Sequence, residues 1–517
     1  MLPKPLILNR WDGGIADSPY EGIIGSHPAI VGLDYRTDPG ILQLARPMAK
    51  VSGQSGGSDV VQGDIKWFIN ISPSEIYAMD EGTSDVTRIL KSTNSGDSWS
   101  LFKLIGSVDS SSSANGGIYW KGYFLYCTDS WLGYYKPGAS TEWLQGWQDL
   151  RVNGVSDSDW HSMLQGQRDG SLYIGNGSHV ALLSETADTT FDPTNSATYS
   201  FNADALDIPS DFRIKSLSEV GDNLMLGCWK KVGSVYHPVS VLYPWNYVLR
   251  PLSHEAPVFK TKSYGVTAQL NVDNVLYAWM GQHYEIYYYN GSEFSRLKRI
   301  PLDISQLSGV MGVNPGAVAE FLDIPHFGVD NVLSSPLIYG GIYNYGTSDK
   351  KRYPLSLNCQ YPISQTQSKA TVINSIGVCG AGGNILLAGW QNSTDGTWGI
   401  DKINNSSRLT SGAFIETMLF RLGTAKLKPQ IEQFEIYLDG NIASGQTIDI
   451  KYRRNTGDSW TTITPKNRAN TFSYSLDGAI SSKYIQFNIN NVVDLQFRIE
   501  FSSSSGSNIK LREVRIQ

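Results

Sequence analysis

A turn residue or two followed by a short apolar strand recurs about every fifty residues along this chain, and that spacing limits its folds more than any other feature. The phrase reads Ser74-Glu75-Ile76-Tyr77-Ala78, Lys121-Gly122-Tyr123-Phe124-Leu125-Tyr126 and Asp169-Gly170-Ser171-Leu172-Tyr173-Ile174-Gly175. It returns as Asp222-Asn223-Leu224-Met225-Leu226-Gly227, Asp273-Asn274-Val275-Leu276-Tyr277-Ala278 and Gly383-Asn384-Ile385-Leu386-Leu387-Ala388-Gly389, with a weaker copy at Asp330-Asn331-Val332-Leu333. The anchors near 74, 121, 169, 222, 273, 332 and 383 lie 47, 48, 53, 51, 59 and 51 residues apart. Units of strand and turn at this length are the size of four-stranded propeller blades. A single such sheet has two apolar faces and buries them only by stacking on neighbours around an axis. Near-continuous apolar runs such as Leu224-Met225-Leu226 fit sheets covered on both faces.

The chain has 517 residues, of which 17% are charged and 51 are glycine. Few stretches carry a helical period, so the expected class is all-β. A net charge of −6 and short basic runs (Lys230-Lys231, Lys298-Arg299, Lys350-Lys351-Arg352, Arg453-Arg454) argue against nucleic-acid specificity, which needs a basic stripe. Cys127, Cys228, Cys359 and Cys379 form no C-x-x-C pair and read as buried free thiols in a protein assembled in a reducing cytosol. The start, Met1-Leu2-Pro3-Lys4-Pro5-Leu6, lacks the pattern of a secretion leader, and no apolar stretch is long enough to imply membrane insertion.

Three regions are expected. Residues 1–55 read as an N-terminal extended arm of two or three strands ending in a Gly/Ser-rich junction. Residues 56–412 read as a β-propeller of seven blades, with six or eight also compatible with the spacing. Residues 413–517 read as a C-terminal β-sandwich, jelly-roll-like. Eight strands are expected there, and Ile448-Asp449-Ile450-Lys451-Tyr452 and Phe497-Arg498-Ile499-Glu500-Phe501 alternate with a period of two, one face buried and one wet.

Ser92-Thr93-Asn94-Ser95-Gly96-Asp97-Ser98-Trp99 resembles the Asp-box of sialidase-like propellers, with Asn94 and Ser98 keeping the hydrogen-bonding roles of the usual Asp and Thr. That turn marks a fold and carries no chemistry. Arg454-Asn455-Thr456-Gly457-Asp458-Ser459-Trp460 is a partial copy outside the repeat. The nearest local acid pairs, Asp157/Asp159 and Asp80-Glu81, read as solvated turns. The seven histidines (His27, His161, His179, His237, His254, His283 and His326) show no metal-ligand spacing. Gly53-Gln54-Ser55-Gly56-Gly57 matches G-x-S-x-G but lacks the strand before and helix after that a nucleophile elbow needs. Asn392-Ser393-Thr394-Asp395-Gly396 and Asn70-Ile71-Ser72 read as Asx-turns in preference to calcium loops. Trp131, Tyr134, Tyr135, Trp143, Trp147 and Tyr287-Tyr288-Tyr289 read mainly as packing between blades. No catalytic, cofactor-binding or metal residue is assigned, and the chain is not expected to be an enzyme.

The opening, Asn9-Arg10-Trp11-Asp12-Gly13-Gly14-Ile15-Ala16-Asp17-Ser18-Pro19, then Ala29-Ile30-Val31-Gly32-Leu33-Asp34-Tyr35-Arg36 and Gly40-Ile41-Leu42, resembles the start of tailed-bacteriophage virion tail proteins with β-propeller bodies, nozzle-like or tail-tip and fibre-associated. The resemblance covers roughly the first fifty residues and carries over no functional residue. It implies a structural protein of the virion tail, assembled in the host cytoplasm. Its partners would be other tail proteins and copies of itself in a trimer or hexamer, with a host surface glycan as a further candidate. The alternative is a sialidase-like carbohydrate-binding or glycoside-hydrolase protein. Three arginines or two facing acids at the propeller mouth would favour that alternative.

Overall fold

The structure is a computed structural model. It describes all residues except 1–4, 17, 19, 21, 23–24, 39, 52–59, 83–85, 106–114, 140–142, 154–159, 248–258, 282–283, 301–311, 332–339, 347–355, 365–368, 423–429, 467–470 and 491. Strands hold 59% of it and helix 1%, so the fold is all-β. Among the described residues the helix is one turn, Tyr474–Asp477, capped by the Ser473 hydroxyl.

The fifty-residue recurrence corresponds to four-stranded antiparallel meanders. Their first strands are Gly63–Asn70, Gly116–Trp120, Met163–Gln165, Phe212–Val220, Val266–Val272, Val318–Phe321 and Thr371–Cys379. We number the meanders 1 to 7 in that order. Meanders 1 to 5 are separate four-stranded sheets, and meander 6 is the first part of a larger sheet. Meander 7 draws its outermost strand, Met48–Lys50, from the N-terminal region, paired antiparallel with Thr397–Ile403. Each first strand touches the first strand of the next meander, and that of meander 7 touches that of meander 1. This cyclic contact of antiparallel sheets is the arrangement of β-propeller-like folds.

In every meander but the sixth, the repeated phrase is the first hairpin turn and the second strand. Second strands such as Tyr123–Cys127 and Leu172–Asn176 are buried at every position, as sheets stacked on both faces require. Between meanders 1 and 2, Tyr77 stacks on Phe124 with ring centroids 5.6 Å apart, and Met79 and Tyr126 fill the same layer. Tyr134 and Trp147 in meander 2 meet edge to face at 5.3 Å. The aromatic runs therefore pack the sheets, as expected.

One anchor was misplaced by the sequence. In meander 6 the turn equivalent to the others is Leu322-Asp323, between Phe321 and Ile324, whereas Asp330 and Asn331 lie beyond the far end of the second strand. Both Leu322 and Asp323 adopt a left-handed backbone (φ 53° and 60°). Leucine is a poor residue for that conformation, so the turn carries no Gly or Asn-Gly signal. Val332 and Leu333 lie outside the described residues.

The Asp-box-like turn forms as its residue types dictate. The Ser98 N–H donates to Asn94 Oδ1 (3.0 Å) and the Gly96 N–H to Ser92 Oγ (2.9 Å). Trp99 is buried against Phe68, centroids 6.0 Å apart. In the partial copy, the Asn455 N–H donates to Asp458 Oδ2 (3.0 Å).

The C-terminal region folds into strands close to those expected, including Ile431–Leu438, Gln446–Arg453, Ser482–Ile489, Asp494–Ser503 and Lys510–Ile516. They belong to two sheets with a shared core. Ile448, Ile450, Phe497 and Ile499 of one pack with Phe434 and Ile436 of the other, Phe434 meeting Phe497 edge to face at 5.4 Å.

The segment read as an arm supplies strands to three sheets. Ala29–Val31 sits between Ser356–Pro362 of meander 6 and Ala413–Glu416, so one sheet runs from the meander into the C-terminal region. Leu33–Asp34 and Leu42–Leu44 extend the other C-terminal sheet beside Lys510–Ile516, and Leu6–Leu8 pairs with that same strand. Gly32 makes the switch between sheets, with φ 65° and its would-be Cβ only 2.6 Å from Leu409 Cδ1. Just after it, Asp34 Oδ1 accepts the Arg36 N–H (2.9 Å), closing an Asx turn that turns Arg36 inward. The buried guanidinium donates to Asn344 Oδ1 (2.5 Å) and to the Gly346 carbonyl (3.2 Å). Asn344 continues to Gln360 Oε1 (2.7 Å), and Asn358 Nδ2 donates to the Leu33 carbonyl (2.8 Å).

None of the four cysteines is in a disulfide and all are buried, and burial pushes each thiol up, to about 11 for Cys379 and further for Cys127 and Cys228.

Arg36→Ala strands buried acceptors in meander 6 and is expected to lower stability by about 2–4 kcal/mol. Chemical denaturation followed by tryptophan fluorescence measures it, and a loss under about 0.5 kcal/mol would show that the network does not hold the segment.

Candidate functional site

The chain enters each first strand at the same end of the ring, and at that end meanders 3 to 7 leave a cavity of about 490 Å³. Its walls come from segments leading into first strands (Trp160, Tyr264, Val313–Pro315, Ala370) and from the ends of second strands (Trp229, Asp330, Asn331, Ser393).

Aromatic rings form one side. Trp229 lies over Tyr236 with centroids 4.2 Å apart, its indole N–H donating to the His237 carbonyl (2.8 Å), and Tyr264 meets it edge-on at 6.1 Å. Trp160 packs on Trp67 of meander 1 at 5.3 Å. Lys215 brings a cation, its Nζ 4.8 Å from the centre of the Tyr236 ring. Thr267, in the first strand of meander 5, has its hydroxyl buried with no partner among the described residues.

Asp330 supplies the acid. Its Oδ1 accepts the Ile373 N–H (2.8 Å), and its own N–H donates to the Tyr284 hydroxyl (3.3 Å). Burial outweighs these contacts and pushes the carboxyl up to about 7. The neighbouring Asn331 exchanges backbone hydrogen bonds with Thr371 (2.8 and 3.1 Å), tying meander 6 to meander 7 at the rim. Asp330 is therefore both part of the wall and a link between meanders.

The other sequence candidates separate. Asp80 is buried against Arg88 (3.1 Å) and accepts the Gln62 N–H, while Glu81 pairs with Lys66 (2.8 Å), so the two acids do not face a common space. Burial raises Asp80 to about 6. Asp157, Asp159, Gly53–Gly57, His254, His283 and Lys350–Arg352 lie outside the described residues. His27 and His326 are buried, which lowers them to about 4 and about 3, and His161 is lowered by the same cause. Asn392 Oδ1 accepts the N–H groups of Thr394 and Asp395 (both 3.1 Å), the expected Asx-turn. Among the described lining residues of the cavity there is one carboxylate and one lysine.

Sequence spacing missed one grouping. His179, Asp204 and Asp207 come together because His179 stands opposite Asp207 across a strand pair, and their ligand atoms lie within 4.8 Å of one another. His179 Nδ1 is 3.0 Å from Asp204 Oδ1, and burial followed by the nearby Asp204 raises the Asp207 carboxyl.

No known protein family matches the sequence, and no curated protein matches it. Solved structures with a similar course of the chain include an exo-β-1,3-galactanase from Phanerochaete chrysosporium with β-1,3-galactotriose. It is 10% identical with a TM-score of 0.31, covering 92% of this chain and 100% of that one. The mitotic checkpoint complex is 12% identical with a TM-score of 0.40, covering 70% and 91%. PorZ, a surface component of the type-IX secretion system of Porphyromonas gingivalis, is 12% identical with a TM-score of 0.40, covering 84% and 60%. Likenesses this distant carry no argument about the function of this chain.

Asp330 gives a pH signature. Its folded pKa stands above the unfolded value near 4, so between about pH 4 and 7 the folded chain holds a proton that the unfolded chain has released. Stability should therefore fall as pH rises through that window and level off above it. Asp330→Asn keeps the acceptor for Ile373 and should remove that part of the slope, so the variant gains melting temperature relative to the parent from pH 5 to 8. Parallel melting curves for the two proteins would refute the assignment.

Proposed function

We propose that this chain is a non-enzymatic structural component of a bacteriophage tail, assembled in the host cytoplasm and working as a homo-oligomer among other tail proteins. In this reading the seven meanders are the seven blades of one propeller, and the two C-terminal sheets form a jelly-roll-like sandwich. One observation carries it. The opening segment that resembles phage tail proteins is the segment that joins the regions, through Ala29–Val31, Leu33–Asp34, Leu42–Leu44 and Met48–Lys50. A ring and a sandwich joined by shared backbone hydrogen bonds resist relative motion better than two domains on a linker. That stiffness suits a part that transmits position and load within an assembly.

The C-terminal region offers a contact surface. Ser482–Ile489 is the outer strand of its sheet, and the Lys483–Asp477 ion pair (2.8 Å) draws the short helix beside it. Tyr474, Leu476 and Tyr484 stand exposed there, 43%, 54% and 52% open to solvent, large apolar groups of the kind that anchor interfaces.

Sedimentation and electron microscopy of the purified chain should show rings or spikes of three or six copies, or capture of the chain by tail particles. Leu476→Glu with Tyr484→Glu should weaken association at least tenfold with an unchanged melting temperature. A monomer at all concentrations with no affinity for tail particles would overturn the proposal.

A further inference from the structure

We propose that the cavity at the end of the ring is a carbohydrate-binding site that holds one or two pyranose rings of a glycan without cleaving them. The inference goes beyond the assembly role and does not rest on it. The cavity volume of about 490 Å³ lies within the range of small-ligand sites, roughly 300–1,000 Å³.

The chemistry of the wall selects the ligand class. A pyranose presents C–H faces that lie against aromatic rings and a rim of hydroxyls that each donate and accept. Trp160, Trp229 and Tyr264 supply ring surfaces from three separate segments. Trp229 is fixed by its stack on Tyr236 and its bond to the His237 carbonyl, so little side-chain freedom is lost when a sugar covers it. The rim groups are mixed in kind. Asp330 exchanges a proton near neutral pH and so serves as donor or acceptor. The Thr267 hydroxyl is buried without a partner among the described residues, a cost that a ligand hydroxyl reaching it would relieve.

A phosphorylated ligand fits this wall poorly. Such groups are held by several cations or by a helix N-terminus, whereas the described wall offers Lys215 alone and sets Asp330 in the same cavity. Cleavage of a glycosidic bond takes two carboxyl groups flanking it, and the described wall carries one. Binding is accordingly the activity proposed.

The test is a glycan array of bacterial and mammalian oligosaccharides probed with the full chain. Saturation-transfer NMR and tryptophan quenching then follow galactose, glucose, N-acetylglucosamine and N-acetylneuraminic acid, with ATP and inorganic phosphate as controls. At least one saccharide should bind and quench tryptophan fluorescence. Trp229→Ala should weaken it at least tenfold, and Leu104→Ala, at an exposed position on the outer strand of meander 1, should leave it unchanged. If Trp229→Ala lowers the melting temperature, Tyr264→Ala and Thr267→Val decide the matter, each expected to weaken binding at least threefold in a folded protein. No saccharide binding, binding untouched by the cavity variants, or tighter binding of ATP or phosphate would overturn the proposal.

Discussion

An open strand edge is a row of backbone donors and acceptors without partners, and this architecture depends on how those edges are paired. Seven meanders contact one another in a cycle, but meander 7 contributes only three strands from its own stretch of chain. The fourth, Met48–Lys50, comes from more than three hundred residues earlier in sequence. The ladder at 401–403 thus ties the N-terminal region to the last meander, beside side-chain hydrogen bonds from Ser375 and Trp398 of meander 7 to Ile65 and Asp64 of meander 1.

The same N-terminal stretch joins the ring to the C-terminal sheets. Ala29–Val31 is hydrogen-bonded on both sides, Gly32 lets the backbone cross to the second sheet, and Arg36 anchors the crossing in meander 6. A residue with a side chain at Gly32 would run into Leu409 and Ala413, so the crossing fixes the sequence there. Buried polar groups at this crossing (Asp34, Arg36, Asn344, Asn358 and Gln360) are hydrogen-bonded to one another or to backbone, which selects one register over a slipped one.

Much of the fold was legible in the sequence because the signals were local. Gly, Asn and Asp mark hairpin turns by their backbone freedom, and Ile448/Ile450 and Phe497/Ile499 mark a half-buried strand by period. Leu322-Asp323 was unreadable because the two-residue hairpin turn holds Leu322 in a conformation that leucine disfavours. The role of residues 29–50 was hidden for a different reason. The pairings that tie it to the ring and to the C-terminal sheets span more than three hundred residues, and no local pattern records which partner a short apolar run will find. The cavity was illegible on the same grounds. Trp160, Trp229, Tyr264 and Asp330 sit at strand ends in four different meanders or linkers, and only closure of the ring brings them to one wall. The Asp-box turn, by contrast, was legible down to its hydrogen bonds and says nothing about chemistry.

Native-state hydrogen exchange reads the closure directly. Amides of residues 48–50 and of their partners 401–403 should exchange only when the ring as a whole opens, with the same denaturant dependence as the buried second strands. Rapid exchange at 48–50 while 401–403 and the second strands stay protected would show that the N-terminal strand is a loose addition and that the ring is held by other means.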